Sequence, residues 1–300
     1  MSAPARDLLM ASPERWDECC FAVPAVRALQ AAGMGVGVLC QAHQLAFWRT
    51  LAEVEVLVED VEGDWRSALL WEDGALAKAV VRARIARRIG PAVGKLPKRL
   101  THPLQHAPHP TEHRVQFYLK ALGEMGIDTA KPEFFAPASH AAASAESALL
   151  LAPDSDFGPS HEWGLGRWKE VAATLLEKGR RLTIACLTQG RGLGRQLAAS
   201  LHEQADALPV NLAAPPLSLL SSFPQILAAD GSLPHLAAHM GATCVTLFGP
   251  NDPAWRRPLG KRHQVIHRHV ECAPCRLPKC PLDLRCQKEM DVAMVLARGW

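Results

Sequence analysis

Tyrosine occurs once in 300 residues, and all aromatics together make up 6% of the chain. No aromatic residues interleave its basic stretch, and the formal net charge is only +3, so a protein built to bind nucleic acid is excluded as the leading reading. No apolar run approaches the ~18 residues of a membrane span. Met1–Arg6 leads only into the short apolar piece Leu8–Ala11, too brief for the core of a secretory leader, so a cytoplasmic protein is expected. Internal repeats and low-complexity tracts are missing too. With 48% hydrophobic and 21% charged residues, the chain is globular and not disordered.

The chain is long enough for one large or two ordinary domains. Asp7–Ala11 reads as a first strand, Ser12–Trp16 as a loop and Asp17–Ala32 as a helix closed by Gly33. Strands at Val36–Gln41 and Val54–Glu59 flank a helix at Gln44–Leu51, and His113–Asp128 is a further amphipathic helix. Strands alternating with helices predict an α/β fold with a parallel, doubly wound sheet. An Ala-, Pro- and Ser-rich stretch runs through Lys131–Ser147; taking 136–147 as the linker gives one domain over 1–135 and a second over 148–300. The second opens on the apolar strand Ala148–Ala152 and continues through a helix at Lys169–Lys178 and a strand at Arg181–Thr188. Trp163 and Trp168 read as its core anchors.

Residues 224–254 carry the most information. Gln225–Ala229 predicts a short buried strand, Asp230-Gly231-Ser232 a turn, Pro234–Met240 a helix closed by Gly241, and Thr243–Phe248 another strand. A strand, a small-residue turn and a helix aim free backbone N–H groups at the carboxyl end of a sheet, where the helix dipole favours an anion. Asp230 can reach a sugar hydroxyl there, and His235 can face a phosphate. The plainer alternative is an ordinary turn with Asp230 as a helix cap.

Other stretches are less specific. Residues 78–114 carry nine Lys and Arg against one acid, Glu112, which reads as a solvated helix face plus a loop, or as an anion-facing patch. His102, His106, His109 and His113 are separated by prolines that break any helix able to align them on a metal. Gln189–Gly194 is glycine-rich but does not fit the dinucleotide fingerprint. Cys272, Cys275, Cys280 and Cys286 form a tight cluster that can surround one tetrahedral ion, so a structural zinc is one reading, with free thiols, disulfides or an iron–sulfur cluster as the others. Cys40, Cys186 and Cys244 fall in predicted strands as small buried hydrophobes.

The wording of Asp230–Pro253, D-G-S-L-P-H-L-A-A-H-M-G followed by V-T-L-F-G-P-N-D-P, resembles the signature of glycosyltransferase family 9, the bacterial heptosyltransferases. Ala22–Leu29, the helix from His113 and Phe157–Trp168 resemble further segments of that family. The resemblance implies a GT-B architecture, two Rossmann-like domains with parallel sheets facing a cleft. It implies an inverting, metal-independent transfer of heptose from ADP-heptose to the inner core of lipopolysaccharide, by an enzyme that is cytoplasmic or peripheral on the inner membrane. The family's general base falls on Glu18, with Asp17 beside it and no preceding glycine. On the donor side the resemblance points to Ser155, Asp156, His161, Asp230, Gly231, Ser232, Leu233 and His235. The family's donor-binding lysine falls on His161 and the neighbouring arginine on Glu162, which weakens the local positive charge. Leu217–Phe223 is shorter than the matching family helix. These departures leave two alternatives: a divergent member that binds a sugar nucleotide or glycolipid without transfer, and a transferase for another nucleotide sugar.

Overall fold

The computed structural model describes residues 6–138 and 148–300. The chain divides into two compact units, one within Met1–Ala136 and one within Pro137–Trp300.

In the first unit the order is β1 (Leu8–Ala11), α1 (Trp16–Ala31), β2 (Val36–Cys40), α2 (Leu45–Trp48), β3 (Glu55–Val58), β4 (Ser67–Leu69), α3 (Ala75–Arg82), β5 (Arg87–Pro91), β6 (His102–Leu104) and α4 (Val115–Glu124). The strands form one sheet in the order β3-β2-β1-β4-β5-β6, and every pairing is parallel. A parallel sheet is covered on both faces, so its central strands are continuously apolar. Accordingly all four residues of β1 are buried, as are all five of β2. Leu9, Leu39, Ala68 and Val80 join one core cluster. The chain runs from β1 outward to β2 and β3, then returns to the other side of β1 as β4. The strand order therefore reverses between β1 and β4, the place where open α/β sheets leave a crevice at their carboxyl edge.

The second unit repeats the plan. Its elements are β7 (Ala148–Ala152), α5 (Leu165–Glu177), β8 (Arg181–Leu187), α6 (Leu193–Leu201), β9 (Ala205–Val210), α7 (Leu217–Leu220), β10 (Gln225–Ala229), α8 (Ser232–His239), β11 (Thr243–Phe248), α9 (Pro253–Arg256), β12 (Gln264–His267), α10 (Arg285–Lys288) and α11 (Val292–Leu296). The sheet order is β12-β11-β10-β7-β8-β9, again all parallel. Here the reversal lies between β7 and β10, so the segments that follow these two strands border the crevice. Trp163 and Trp168 are buried in this unit's core with Leu149, Leu227 and Leu247, as their composition and spacing led us to expect.

Several expected elements differ. The helix expected at Gln44–Leu51 is a 3-10 turn at Ala42–Gln44 followed by the four-residue α2. The basic stretch 78–114 is not one helix face and a loop: after α3 it supplies β5 and the edge strand β6. Arg87, Arg88 and His102 hid them, because β5 opens on exposed or half-buried charge and β6, at the edge, faces water and carries Pro103. The beginning of the Ala- and Pro-rich stretch is ordered. Pro132–Phe135 is a 3-10 turn, and Arg27 Nη1 donates to the carbonyls of Phe134, at 2.9 Å, and of Ala136. The rest of the expected linker, from 139 to 147, lies outside the described residues.

Candidate active site

In the second unit the crevice is built by the turn after β7 and the turn after β10. Asp230 ends β10 and is fully buried. Its Oδ2 accepts from Asn251 Nδ2 at 2.7 Å and lies 2.9 Å from His161 Nδ1. A carboxylate only accepts, so this contact places a proton on Nδ1 and fixes the tautomer. Asp230 Oδ1 is buried with no hydrogen-bond partner among the described residues. Such an oxygen is costly to leave unmet and is suited to a ligand hydroxyl.

Ser155 ties the two turns together. Its Oγ donates to the Asp230 carbonyl at 2.6 Å and accepts from Phe157 N at 3.1 Å. Asp156 accepts from Ser232 N at 2.8 Å and from Ser232 Oγ at 2.6 Å. Asp156 thus places its carboxylate on the first N–H of α8, the position where an anion was expected to bind. A side chain at Gly231 would bring a Cβ to 3.0 Å from Asp156 Oδ1 and 3.2 Å from Ser155 Oγ, so glycine lets the turn close this tightly. Leu233 and His235 are buried in α8, and His235 is not a surface residue as the plainer reading would have it.

The turn that presents His161 is held from outside. Pro159–His161 is a 3-10 turn entered through Gly158 at φ +115°. Ser160 N donates to the Pro278 carbonyl at 3.1 Å, Ser160 Oγ donates to the Leu277 carbonyl, and Gln287 Nε2 donates to the Ser160 carbonyl at 3.1 Å. Glu162, which follows, accepts from Ser155 N at 3.2 Å, and burial holds its carboxyl above the ordinary range. The glycine-rich Gln189–Gly194 does not offer a phosphate cradle. Asp154 already accepts from Leu193 N at 2.8 Å and Gly194 N at 3.0 Å at the start of α6.

In the first unit, Glu18 lies one turn into α1, just past β1. Arg114 Nε donates to both of its oxygens at 2.9 Å, and the Tyr118 hydroxyl donates to Oε2 at 2.6 Å. Asp17 is fully buried and takes Arg15 Nε and Nη2 at 3.1 and 3.2 Å. The preceding loop is pinned by Trp48 Nε1 on Ser12 Oγ at 2.9 Å and Gln44 Nε2 on the Pro13 carbonyl at 2.7 Å.

Among the described residues no group of His, Cys, Asp or Glu is gathered so that it could hold a metal. Cys272 is exposed and Cys286 buried, and Cys280 Sγ accepts from Leu282 N at 3.4 Å. The four thiols nonetheless share one neighbourhood: burial, then Cys275, Cys272 and Cys280, pushes the Cys286 thiol up to about 11. Cys40, Cys186 and Cys244 are buried, as expected.

A model of glycosyltransferase family 9 (heptosyltransferase) matches residues 44–285. The chain belongs to glycosyltransferase family 9. Lipopolysaccharide heptosyltransferase 2 of Salmonella typhimurium is 27% identical over 129 residues, covering 41% of this chain and 37% of that protein. Lipopolysaccharide heptosyltransferase 1 of Pseudomonas aeruginosa is 27% identical over 245 residues, 78% of this chain and 66% of that one. The matched stretch thus spans about a third of the length of the heptosyltransferase 2 relatives. Among solved structures, the Escherichia coli ADP-heptose lipopolysaccharide heptosyltransferase II superposes with a TM-score of 0.77 at 16% identity, covering 97% of this chain and 96% of that one. The α/β fold with two parallel sheets is therefore the GT-B fold of that family.

For this family member, the fold brings together six of the residues to which the resemblance pointed: Ser155, Asp156, His161, Asp230, Gly231 and Ser232. Sequence reasoning missed Asn251, which completes the Asp230 site from the loop after β11, and Arg114 and Tyr118, which hold Glu18 from the far end of the unit. An arginine and a tyrosine four residues apart on the amphipathic α4 were the available signal.

Proposed function

We propose that this chain transfers a sugar, with inversion, from a nucleoside-diphosphate donor to an acceptor hydroxyl; the donor is ADP-heptose and the acceptor the inner core of lipopolysaccharide. The observation that carries this reading is the buried, unpartnered Oδ1 of Asp230 at the reversal point of the second sheet. Family membership supports the sugar-transfer chemistry, and the likeness to the Escherichia coli ADP-heptose heptosyltransferase II supports the donor.

On this reading Asp230 Oδ1 accepts a donor hydroxyl while Oδ2 stays with Asn251 and His161. The imidazole, its tautomer set by Asp230, offers Nε2 to a second hydroxyl. The backbone of Gly231–Leu233 and His235 stabilise the departing diphosphate, where negative charge grows in the transition state. Asp156 must give up Ser232 for the diphosphate to take its place. On the acceptor side a carboxylate removes the hydroxyl proton as the oxygen attacks the anomeric carbon, and the bond from that carbon to the diphosphate breaks with its electron pair on phosphate oxygen. By the family pattern this carboxylate is Glu18, with Asp17 beside it. The peripheral, cytoplasmic-face location follows from the acceptor; no helix among the described residues is long and apolar enough to cross a membrane.

A second reading, binding without transfer, is favoured by the three hydrogen bonds that engage Glu18. A third, another nucleotide sugar, is favoured by α7, which is only four residues long. Thermal unfolding with ADP, UDP, GDP, CDP and ADP-heptose separates them. A ligand at about 100 times its Kd adds ~2.7 kcal/mol, several degrees for a chain of this size. The expected result is a shift with ADP, a larger one with ADP-heptose, and heptose transfer to lipopolysaccharide from cells that add none. A shift with another nucleotide moves the donor assignment; binding with no transfer supports the second reading.

A further inference from the structure

The reversal rule that locates the donor crevice between β7 and β10 applies equally to the first sheet, where it selects the segments after β1 and β4. After β1 come Ser12, Pro13 and Glu14; after β4 come Leu70, Trp71 and Glu72. Glu72 therefore stands at the end of its strand much as Asp230 does in the second unit. Glu14 N donates to Glu72 Oε1 at 2.7 Å, which bridges the two segments across the crevice. Glu72 Oε2 makes no hydrogen bond among the described residues, and the side chain keeps a solvent-accessible face.

Two cavities meet there. A small one of about 10 Å³, the room of one water-sized atom, is lined by Ser12, Glu14, Trp71 and Glu72. Trp71 is 4% exposed, and its indole N–H is buried without a partner among the described residues. The small cavity shares the wall Gly74–Leu76 with a larger one of about 530 Å³, which is lined by Gln41, Glu59, Asp60, Lys78 and Arg82 at the carboxyl ends of β2 and β3. An orphan indole N–H and an open carboxylate oxygen on residues lining a one-atom cavity, with a polar cavity large enough for sugar residues across the shared Gly74–Leu76 wall, match an alcohol. Its oxygen accepts from Trp71 and its proton points at Glu72.

We infer that Glu72, not Glu18, takes the proton from the acceptor hydroxyl, that Trp71 Nε1 seats that hydroxyl, and that the larger cavity, whose Arg82 pairs with Asp60 at 3.8 Å, holds the acceptor's polyhydroxylated body. The inference rests on the transferase reading above. The step balances as proton transfer from the hydroxyl to the Glu72 carboxylate, formation of the new bond from oxygen to the anomeric carbon, and departure of the nucleoside diphosphate with the electron pair. Glu18 is poorly placed for this step, because Arg114 and Tyr118 already occupy its two oxygens with three hydrogen bonds. Glu72 is in the opposite situation. Partial desolvation in the crevice, then the charges of Glu14 and Glu18, hold its carboxyl above the ordinary range, against the Glu14 N–H and Arg114. A base with a raised pKa accepts a proton more readily near neutral pH.

The test uses the full chain with ADP-heptose and heptose-free lipopolysaccharide. Glu72→Gln is expected to lower kcat at least ~10²-fold while the thermal shift with ADP-heptose stays at the wild-type value. Glu72→Ala is expected to regain turnover when sodium formate is added as an external base, and Glu18→Ala is not. Trp71→Phe, which keeps the ring packed on Tyr118 but removes the N–H, is expected to raise the acceptor KM about tenfold, the loss of one hydrogen bond to a hydroxyl. If Glu72→Gln turns over at the wild-type rate, or formate rescues Glu18→Ala alone, the inference falls while the transferase reading stands. If the wild-type chain neither binds a nucleotide sugar nor transfers, the transferase reading fails first and the inference with it.

Discussion

Arg114 Nε sits 2.9 Å from each carboxylate oxygen of Glu18, joining α1 to α4 across 96 residues of sequence. Both side chains are mostly buried, at 15% and 11% exposure. The guanidinium also lies 3.9 Å from the centre of the Phe117 ring, so packing fixes it as well as charge. Removing one partner of such a pair leaves a charge in a place that water hardly reaches. Arg114→Met is therefore expected to destabilise the chain by about 3 kcal/mol, near the lower end for a broken buried pair because some exposure remains. The double variant Arg114→Met with Glu18→Gln is expected to recover part of that loss. Denaturant unfolding of the four proteins checks it; additive single losses would mean that the pair is not coupled.

Asp156 occupies the N-terminus of α8 with its own negative charge. It stabilises the empty turn as a helix cap does, and it competes with any diphosphate that approaches the same N–H groups. Asp156→Ala is expected to lower thermal stability by about 1 kcal/mol without ligand. It is also expected to tighten ADP binding roughly three- to tenfold, by removing a like charge from the site. Calorimetric titration with ADP measures the second effect. Weaker binding in the variant would place the diphosphate elsewhere.

The sequence made the fold class legible because the buried parallel strands β1, β2, β7, β10 and β11 are continuous apolar runs between glycines and charged turns. It left β5 and β6 hidden, because β6 is an edge strand with one partner and needs no apolar run, and β5 beside it opens on Arg87 and Arg88 before its buried Ile89–Pro91. The candidate site of the second unit was legible because its residues cluster at Asp154–Glu162 and Asp230–Asn251. What a single chain does not reveal is which carboxylates receive donors in three dimensions. Glu18, Asp156 and Glu72 are each one acid after a strand on paper. In the fold the first is held by Arg114 and Tyr118, the second takes the Ser232 N–H and hydroxyl, and the third accepts one N–H and keeps an open oxygen. The Cys272–Cys286 loop carries a role that its spacing does not announce: its backbone braces the His161 turn.

That brace gives a prediction of its own. Gly158 has φ +115°, and a Cβ there would come within 2.7 Å of Pro278 Cβ and 2.9 Å of its Cα. A side chain meets both an unfavourable backbone conformation and fixed backbone atoms, costs of order 1–3 kcal/mol each. Gly158→Ala is expected to unfold at a clearly lower temperature and to lose donor binding, since the displaced turn carries His161. By contrast Gly164→Ala, at a position where nothing lies within 4 Å of the new Cβ, is expected to change neither. Thermal unfolding with and without ADP compares the two. Equal behaviour would show that the loop does not brace the turn.

His263 makes stability depend on pH with a definite sign. It is 7% exposed, and its Nδ1 accepts from Cys244 N at 3.1 Å, a bond that needs an unprotonated nitrogen. Burial, followed by the charge of Arg262, pushes its pKa down to about 4 from the ordinary 6.5. Between those two values the unfolded chain binds a proton that the folded chain refuses, so stability rises with pH there. The contribution is complete above about pH 6.5 and is lost as pH falls toward about 4, and by the usual conversion it amounts to roughly 3 kcal/mol. His263→Gln removes the titration while leaving a side-chain acceptor for Cys244 N. The wild type is expected to lose more stability than this variant between pH 7 and pH 5, by about 2 kcal/mol. Urea unfolding at the two pH values measures the difference. Parallel losses in both proteins would show that His263 is protonated in the folded state and that its bond to Cys244 N does not form.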